Sequence, residues 1–276
     1  MIPLLTDDLV RAALREDLGR AGDLTTDAIV PADAVGEARF VAREPGVVSG
    51  IAVVERVFAV LDPRVRVDVV VPDGGRVERG SLIATLRGPL RAILTGERTA
   101  LNFVGRLSGV ATATAKLVAL VAGTRATIID TRKTTPGLRA LEKAAVRDGG
   151  GANHRFGLDD AILIKDNHVA IAGGIIPALR AARARAGHLV KIEIEVDTLE
   201  QLDEALAEGA DIVLLDNLSP AQLRTAVERT AGRALLEASG GVDETTIRAV
   251  AESGVDLISL GAITHSVRVL DLGLDM

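Results

Sequence analysis

The second half of the chain repeats one pattern, and this repeat restricts the fold more than any other feature. From about Thr127, short apolar runs alternate with helical stretches, which predicts repeated βα units and a parallel sheet. The apolar runs are 127–129, 161–164, 190–196, 212–215, 234–236 and 257–260, and the helical stretches are 175–186, 199–208, 220–231 and 245–253. A doubly wound sheet and a βα barrel both fit. The chain has neither a dinucleotide-binding glycine motif nor a P-loop, and its strands end in polar residues or glycine, which favours the barrel.

The first hundred residues follow a different pattern. Thr6 can cap a helix that runs to about Leu18, and apolar residues at helical spacing predict a second helix over 51–61. Strands are predicted over 36–43, 65–71 and 81–86, with a turn at 72–75. This order indicates a small antiparallel sheet with helices on one face. Two further helices, 90–107 and 110–121, connect it to the second half.

Composition excludes several classes of protein. The chain has no cysteine, which excludes disulfides, zinc thiolate sites, iron–sulfur clusters and thiol nucleophiles. Its net charge is −6, and it has no Trp, no Tyr and four Phe, so neither a basic field nor stacking aromatics suggest nucleic-acid binding. The first residues turn acidic at once, unlike a signal peptide, and the apolar run 117–123 is too short to span a bilayer. We therefore expect a cytoplasmic protein with no nucleic-acid or membrane partner.

Charged side chains, two of them acidic, lie on one face of a predicted barrel strand. Lys191, Glu193 and Glu195 alternate with apolar residues, so the charged face should line the barrel interior. Glu195 and Asp216 then project from successive strands. Such a carboxylate pair suits a hard cation such as Mg²⁺, or it could serve as a general acid and base. Spacing alone does not separate these two interpretations.

Basic side chains gather in the loops after the first strands of the repeat. Five cationic or potentially cationic groups are expected at one rim: Arg132, Lys133, His154, Arg155 and Lys165. Such a cluster on an acidic protein indicates a small polyanionic ligand. Glycine-rich turns close the last two strands at Ser239-Gly240-Gly241 and at Gly261, where they could bind phosphate or simply form tight turns. His265 follows the second of these turns.

Several motifs in this order resemble the quinolinate phosphoribosyltransferase family. The most specific is Asp130-Thr131-Arg132-Lys133-Thr134-Thr135-Pro136-Gly137. Other matching segments cover almost the whole chain: 16–17, 22–26, 97–103, 108–112, 149–151, 153–155, 165–168, 193–197, 215–217 and 237–241. One departure is Ala144, where the family usually has an aromatic residue.

The resemblance implies a fold, a reaction and an assembly. The implied fold is an α/β protein with an N-terminal α/β sandwich over residues 1–106, which residues 267–276 could complete. An irregular open α/β barrel over 107–266 would carry the active site. The implied reaction is Mg²⁺-dependent phosphoribosyl transfer from phosphoribosyl pyrophosphate to quinolinate, giving nicotinate mononucleotide, pyrophosphate and carbon dioxide in NAD biosynthesis. The implied assembly is a homodimer or a higher homo-oligomer, in which Arg98 is shared across the interface.

The resemblance also implies roles for individual residues. The quinolinate pocket would be lined by Arg132, Lys133, His154, Arg155 and Lys165. Glu195 and Asp216 would hold the metal–pyrophosphate region or the ribose. The phosphoribosyl part would be held by Ser239, Gly240, Gly241, Gly261 and His265. The residues implied in catalysis are Lys133, Lys165, Glu195 and Asp216.

Three other functions stay open at this point. Lys133 lies beside Arg132, whose charge lowers a lysine pKa, as a Schiff-base lyase would require. A ligand-binding paralogue could keep the pocket without turnover. A related transferase could use another pyridine acid, such as nicotinate, as its acceptor.

Overall fold

The computed structural model describes residues 3–276, which form two compact units. The first unit comprises residues up to 115 together with 135–150 and 266–276, and the second comprises 116–134 and 151–265. These units are defined by contacts rather than by position along the sequence, so the predicted division near residue 106 stays a prediction. Each unit is described by itself below.

The first unit is built on an antiparallel sheet. Its elements are α1 Pro3–Leu18, α2 Leu24–Ile29, β1 Val35–Ala42, β2 Gly46–Val47, α3 Ile51–Leu61, β3 Arg66–Val69, β4 Arg76–Val77, β5 Leu82–Pro89, α4 Leu90–Leu120, α5 Arg139–Asp148 and β12 Leu272–Asp275. The last residues of α4, 116–120, belong to the second unit. The main sheet has the order β12-β1-β5-β3, and β2 pairs with β4 in a separate ribbon. Phe40 of β1 and Phe58 of α3 are buried and meet edge to face, with ring centroids 6.5 Å apart. The sheet and α3 therefore share one apolar core.

Two predicted helix boundaries in this unit are wrong. Helix α1 begins at Pro3, so Thr6 is a buried residue inside the helix and not its cap. The predicted helices 90–107 and 110–121 are one helix, α4, of 31 residues. Gly109 lies between the two predicted segments and packs closely: a Cβ there would lie 2.2 Å from the backbone oxygen of Arg268.

Helix α4 is, among the described residues, the one helix that is long and apolar enough to cross a membrane by length and composition. In its most apolar stretch 56% is buried inside the protein. Core helices meet the same criterion, so this finding is weak evidence for a membrane span.

The second unit contains the repeated βα pattern. Its elements are β6 Thr127–Ile129, β7 Ile162–Ile164, α6 Asp166–Ala172, α7 Ile175–Arg185, β8 Ile192–Val196, α8 Leu199–Ala207, β9 Ile212–Asp216, α9 Pro220–Thr230, β10 Leu235–Ser239, α10 Ile247–Ala251, β11 Leu257–Ser259 and α11 Ala262–His265. All six strands are parallel, in the order β6-β11-β10-β9-β8-β7. The edge strands β6 and β7 are not paired with each other in this sheet, although a single bridge joins Ile129 to Ala152. The predicted fold class, an antiparallel α/β domain followed by an open α/β barrel, is confirmed.

The composition of β8 shows how this sheet positions functional groups. Ile192, Ile194 and Val196 on one face are buried. Glu193 and Glu195 alternate with them and so point to the opposite face. Parallel strands present their carboxyl ends at one edge of the sheet, so polar side chains from several strands meet there.

Candidate active site

A cavity of about 450 Å³ opens at the carboxyl ends of the parallel strands. The predicted site residues in its lining are Arg132, Lys133, His154, Arg155, Lys165, Glu195, Asp216, Ser239 and Gly240. The other residues in the lining are Thr131, Leu163, Leu214, Asn217, Glu237 and Ser259. The cationic loops and the acidic strands therefore face one hollow, as the sequence predicted.

Four predicted site residues lie outside this lining. Gly241 follows Gly240 directly, and Gly261 packs so closely on Lys133 that a Cβ there would lie 2.7 Å from the lysine Cδ. His265 is exposed on α11, and its ring lies 3.1 Å from the same point. Arg98 is exposed on α4, in the part of the helix that belongs to the first unit.

A buried carboxylate fixes the loop that carries two of the cationic groups. Asp130 is fully buried at the end of β6. It accepts hydrogen bonds from the Asn153 side chain at 2.7 Å and from the backbone N–H of His154 at 2.8 Å. The loop after β6 is held as well, because the Thr264 hydroxyl donates to the backbone oxygen of Lys133 at 2.8 Å. These bonds place His154 and Lys133 with little freedom of the backbone.

The guanidinium of Arg155 is partly withdrawn from water. One terminal nitrogen donates to the backbone oxygen of Ala161 at 3.0 Å. Its Nε is buried and has no hydrogen-bond partner among the described residues. Burial lowers the pKa of Arg155, and the positive charge of Arg132 lowers it further. Two neighbouring guanidinium groups, together with a buried N–H donor that has no partner, suit the binding of an anion.

The carboxylates of the cavity have different partners. Lys165 is about half exposed, and its Nζ lies 3.2 Å from Oε2 of Glu195. Asp216 accepts a hydrogen bond of 2.6 Å from the side chain of Asn217. Burial raises the pKa of Asp216, and the neighbouring carboxylate of Asp197 raises it further. Negative charge is therefore concentrated around Asp216, and a cation there would relieve it.

The turn after β10 approaches the end of β9 very closely. Gly240 has a φ of +84°, and a Cβ at this position would lie 2.2 Å from Oδ1 of Asn217 and 2.9 Å from Oδ1 of Asp216. Asn217 itself is left-handed, with a φ of 54°. Only glycine satisfies both the backbone conformation and the contact at Gly240.

A second acidic pair lies deeper, beside His154. Nε2 of His154 is 2.9 Å from Oε2 of Glu193 and 3.6 Å from Oε2 of Glu237. Glu193 is 6% exposed and Glu237 is 1% exposed. Their Oε1 atoms are buried without a hydrogen-bond partner in the described part of the chain. Burial raises the pKa of Glu237 well above its ordinary value of 4.5, and Glu193 raises it further.

Sequence reasoning did not assign a role to this pair. The alternation along β8 placed Glu193 on the same face as Glu195, and the motif at 237–241 included Glu237. Neither signal shows that the two side chains meet, because β9 lies between β8 and β10 in the sheet. Asp130 and Asn217 were expected at this rim only as polar strand ends without an assigned role, and Ser259 was not predicted as part of the site.

Comparison with known proteins places the chain in a family. The sequence profile of the quinolinate phosphoribosyl transferase N-terminal domain matches residues 23–108, and that of the C-terminal domain matches residues 110–275. This chain is a quinolinate phosphoribosyltransferase family member. The family predicted from the motifs is confirmed.

Individual relatives of the quinolinate phosphoribosyltransferase family match over nearly their full length. A nicotinate-nucleotide pyrophosphorylase (carboxylating) of Mycobacterium leprae is 50% identical, with 98% of this chain and 96% of the relative covered. A probable enzyme of the same name from Bacillus subtilis is 47% identical, with 95% and 90% covered. The solved nicotinate-nucleotide pyrophosphorylase of Francisella tularensis superposes with a TM-score of 0.95 at 41% identity, covering 100% of this chain and 97% of that one. The prediction that the chain is an enzyme of this family is confirmed.

Proposed function

We propose that the chain transfers the phosphoribosyl group of phosphoribosyl pyrophosphate to quinolinate and releases pyrophosphate and carbon dioxide. The observation that carries the proposal is the convergence of five cationic or potentially cationic side chains and two carboxylates on one cavity of about 450 Å³. The names of its relatives, which describe carboxylating nicotinate-nucleotide pyrophosphorylases, support the same reaction.

The cationic side of the cavity fits a dicarboxylate. Quinolinate carries two adjacent carboxylates, which Arg132, Arg155 and Lys133 can hold through ion pairs. The unpartnered Nε of Arg155 gives this side a buried donor. The chain has no Trp and no Tyr, so we assign the recognition of the ring to charge rather than to stacking.

The acidic side of the cavity fits Mg²⁺. Its donors, Glu195 and Asp216, are carboxylate oxygens, which are the ligands that this hard cation prefers. Burial raises the pKa of Asp216 and the carboxylate of Asp197 raises it further, and a divalent cation would favour the charged form of Asp216. Bound there with the pyrophosphate, Mg²⁺ would supply charge stabilisation to the leaving group. Glu195 and Asp216 would hold it.

The phosphoribosyl group has its own candidate contacts. Ser239 and Gly240 line the cavity at the end of β10, and a left-handed turn of this kind can present backbone N–H groups to a phosphate. We assign Gly241, Gly261 and His265 to the same part of the substrate, next to this turn and to Lys133.

Positioning is the main catalytic contribution of these residues. The pyridine nitrogen attacks the anomeric carbon while the bond to pyrophosphate breaks, and the ribose carries positive charge between the two events. The carboxylates of Glu195 and Asp216 can stabilise that charge, and Lys165 beside Glu195 can bind the departing phosphates. Holding both anions in line can contribute about 7–11 kcal/mol to the lowering of the barrier. Loss of the adjacent carboxylate then leaves an electron pair beside the positive ring nitrogen, which stabilises it.

The direct test is a comparison of acceptors. The purified chain is incubated with phosphoribosyl pyrophosphate and Mg²⁺, with either quinolinate or nicotinate. We expect nicotinate mononucleotide and carbon dioxide from quinolinate and no turnover of nicotinate. Turnover of nicotinate alone, or no turnover of either acceptor by folded protein, would reject the proposal. Leaving out Mg²⁺ and adding a chelator should abolish the reaction.

We also propose that the active form is a homodimer or a larger homo-oligomer, with Arg98 completing the site of a partner. Arg98 is exposed on α4 and does not line the cavity of its own chain. Arg98→Ala and Lys133→Ala should each be inactive. A mixture of the two should regain part of the activity, because a mixed dimer contains one site in which both residues are intact. A mixture that exchanges subunits and stays inactive contradicts the sharing.

A further inference from the structure

Two buried carboxyl groups beside His154, those of Glu193 and Glu237, are not used by the reaction as described so far. One ring nitrogen of His154 and one carboxylate oxygen from each glutamate, the atoms that could bind a metal ion, lie within 4.8 Å of one another. Glu237 and His154 also line the cavity, so the group forms part of the wall that faces the substrates. Two carboxyl groups this close and this buried cannot both be charged at low cost, unless a metal ion or a proton lies between them.

The hydrogen bonds of His154 favour a proton over a metal ion. The backbone N–H of Arg155 donates to Nδ1 of His154 at 2.6 Å, so Nδ1 carries a lone pair and no hydrogen. In the neutral ring the hydrogen is then on Nε2, which faces Oε2 of Glu193 at 2.9 Å. A metal ion would need that lone pair on Nε2 and would have to displace the hydrogen.

The proton of the pair belongs to Glu237. Nε2 of His154 lies closer to Glu193 than to Glu237, at 2.9 Å against 3.6 Å. Glu237 is the more deeply buried of the two, and burial raises its pKa by more than its hydrogen bond with Ser259 lowers it. A carboxylic acid therefore lines a cavity whose other acidic groups, Glu195 and Asp216, are more exposed.

The proposed reaction requires an acid at this place. Decarboxylation breaks the bond between ring carbon C2 and its carboxyl group, and the electron pair of that bond stays on C2. A proton must reach C2 as this bond breaks, because carbon dioxide still in the cavity can otherwise recombine with the electron pair on C2. Resting on the proposed function, we propose that Glu237 donates this proton and is a catalytic residue of the decarboxylation step.

The step balances without another reactant. The electron pair left on C2 forms the new C–H bond with the proton of Glu237, and neutral carbon dioxide leaves. Glu237 becomes a carboxylate beside Glu193, and like-charge repulsion drives it to take up a proton from water once the product has gone. The acid form is then restored for the next turnover.

The lysines of the cavity are poorer donors for this step. Lys165 is paired with Glu195, and Lys133 supplies positive charge to an anionic substrate. An ammonium group with an ordinary pKa near 10.4 is a weaker acid than a carboxylic acid. Loss of its proton would also remove a charge that holds the substrate.

The test separates the two chemical steps in a single turnover. Excess enzyme is mixed with phosphoribosyl pyrophosphate, Mg²⁺, inorganic pyrophosphatase and quinolinate labelled in its 2-carboxyl group, and phosphate and labelled carbon dioxide are followed by rapid quench. In Glu237→Gln, which keeps the shape and the neutrality of the acid, we expect pyrophosphate to leave at close to the rate of the unmodified chain. Carbon dioxide release should fall by about 10²- to 10⁴-fold. The phosphoribosylated dicarboxylate should accumulate.

Two variants serve as controls. Glu237→Asp keeps a carboxylic acid and should recover part of the carbon dioxide release. Glu193→Gln removes a charge from the same pair but leaves the carboxylic acid of Glu237. The rates of pyrophosphate release and carbon dioxide release should therefore change by the same factor. A Glu237→Gln variant in which both products fall equally, or in which neither falls, overturns the inference, as does a Glu237→Asp variant no faster than Glu237→Gln.

A measurement on the unmodified chain does not depend on the folding of a variant. Deuterated solvent should slow carbon dioxide release and leave pyrophosphate release unchanged. Equal effects on the two steps, or no effect on either, contradict proton donation by an exchangeable acid. An unmodified chain that makes no nicotinate mononucleotide would instead reject the proposed function, so the two failures are distinguishable.

Discussion

At the scale of the residue, neighbours decide what identical side chains do. Glu193 and Glu195 lie two residues apart on the same face of β8. Glu195 pairs with the half-exposed Lys165, whereas Glu193 is buried against His154 and Glu237. Glu195 can therefore contact substrate and cation. Glu193 instead positions the imidazole of His154 and raises the pKa of Glu237.

The turn at Gly240 gives a residue-scale prediction. Gly240→Ala places a Cβ at a positive φ and against Oδ1 of Asn217 at 2.2 Å. We expect a loss of about 2–4 kcal/mol in the free energy of unfolding, from the left-handed backbone and from overpacking together. The proposed activity should fall as well, because Asp216 must move. Urea denaturation followed by circular dichroism measures the first effect.

Gly232→Ala is the matched control for this variant. Gly232 has a φ of +75°, and a Cβ there meets nothing within 4 Å. It should cost only the backbone contribution of about 1–2 kcal/mol and leave activity unchanged. Equal losses in the two variants would show that the contact with Asn217 is unimportant.

The buried acid gives a prediction about pH. Folded Glu237 keeps its proton above its ordinary pKa of 4.5, whereas the unfolded chain releases it near that value. Unfolding therefore releases a proton in this window, and the stability of the unmodified chain falls as the pH rises from 4.5 towards the folded pKa, by up to about 1.4 kcal/mol per pH unit. Glu237→Gln removes this contribution.

Denaturation at a series of pH values measures this difference. Glu237→Gln should be more stable than the unmodified chain at neutral pH, and the gap should close as the pH falls to 4.5. A difference that does not change with pH would mean that Glu237 is charged in the folded protein.

At the scale of the element, one buried ion pair ties a loop to a helix. Glu142 on α5 is fully buried and accepts from Arg106 at 2.9 Å, from the Thr135 hydroxyl at 2.7 Å and from the Thr135 backbone N–H at 3.0 Å. Glu142→Gln removes the negative charge. It also places the NH₂ group of the new amide against one of these N–H or O–H donors, so that at least one hydrogen bond is lost. We expect a loss of about 3 kcal/mol in the free energy of unfolding.

Glu37→Gln in the same unit is the control for this loss. Glu37 also pairs with arginines, Arg39 and Arg87, but at the exposed surface. Exposed pairs contribute little, so this variant should be indistinguishable from the unmodified chain in urea denaturation. A comparable loss in both variants would contradict the role of burial.

The elements themselves were largely predictable from local patterns. Helix α3 was predicted with its observed bounds, and each parallel strand was predicted to within three residues at either end. One error, the division of α4 into two helices, falls beside Gly109, whose close contact with Arg268 is a long-range feature that local spacing does not show. Loop residues followed the strand ends, so the cationic rim was predictable. The meeting of Glu193 with Glu237 depends on how β8 and β10 both pair with β9, which no local pattern encodes.

At the scale of the whole molecule, the antiparallel sheet joins distant parts of the sequence. Strand β12 pairs with β1 through Leu272, Gly273, Leu274 and Asp275. Deleting residues 272–276 removes these bonds and leaves β1 as an exposed edge. We expect a loss of about 2–4 kcal/mol and concentration-dependent aggregation, measured by urea denaturation and light scattering.

Deleting Met276 alone is the control for this truncation. Met276 is 70% exposed and lies outside the strand. Its removal should change neither stability nor aggregation. A longer truncation that behaves like this control would show that β12 contributes nothing to the sheet.

The position of β12 also bears on how the chain is made. A ribosome produces β1 some 230 residues before the strand that covers its outer edge. During that interval the edge has unsatisfied backbone groups and is open to pairing with other nascent chains. Protection of that edge during translation, by a chaperone or by rapid synthesis, would therefore govern the yield of active protein.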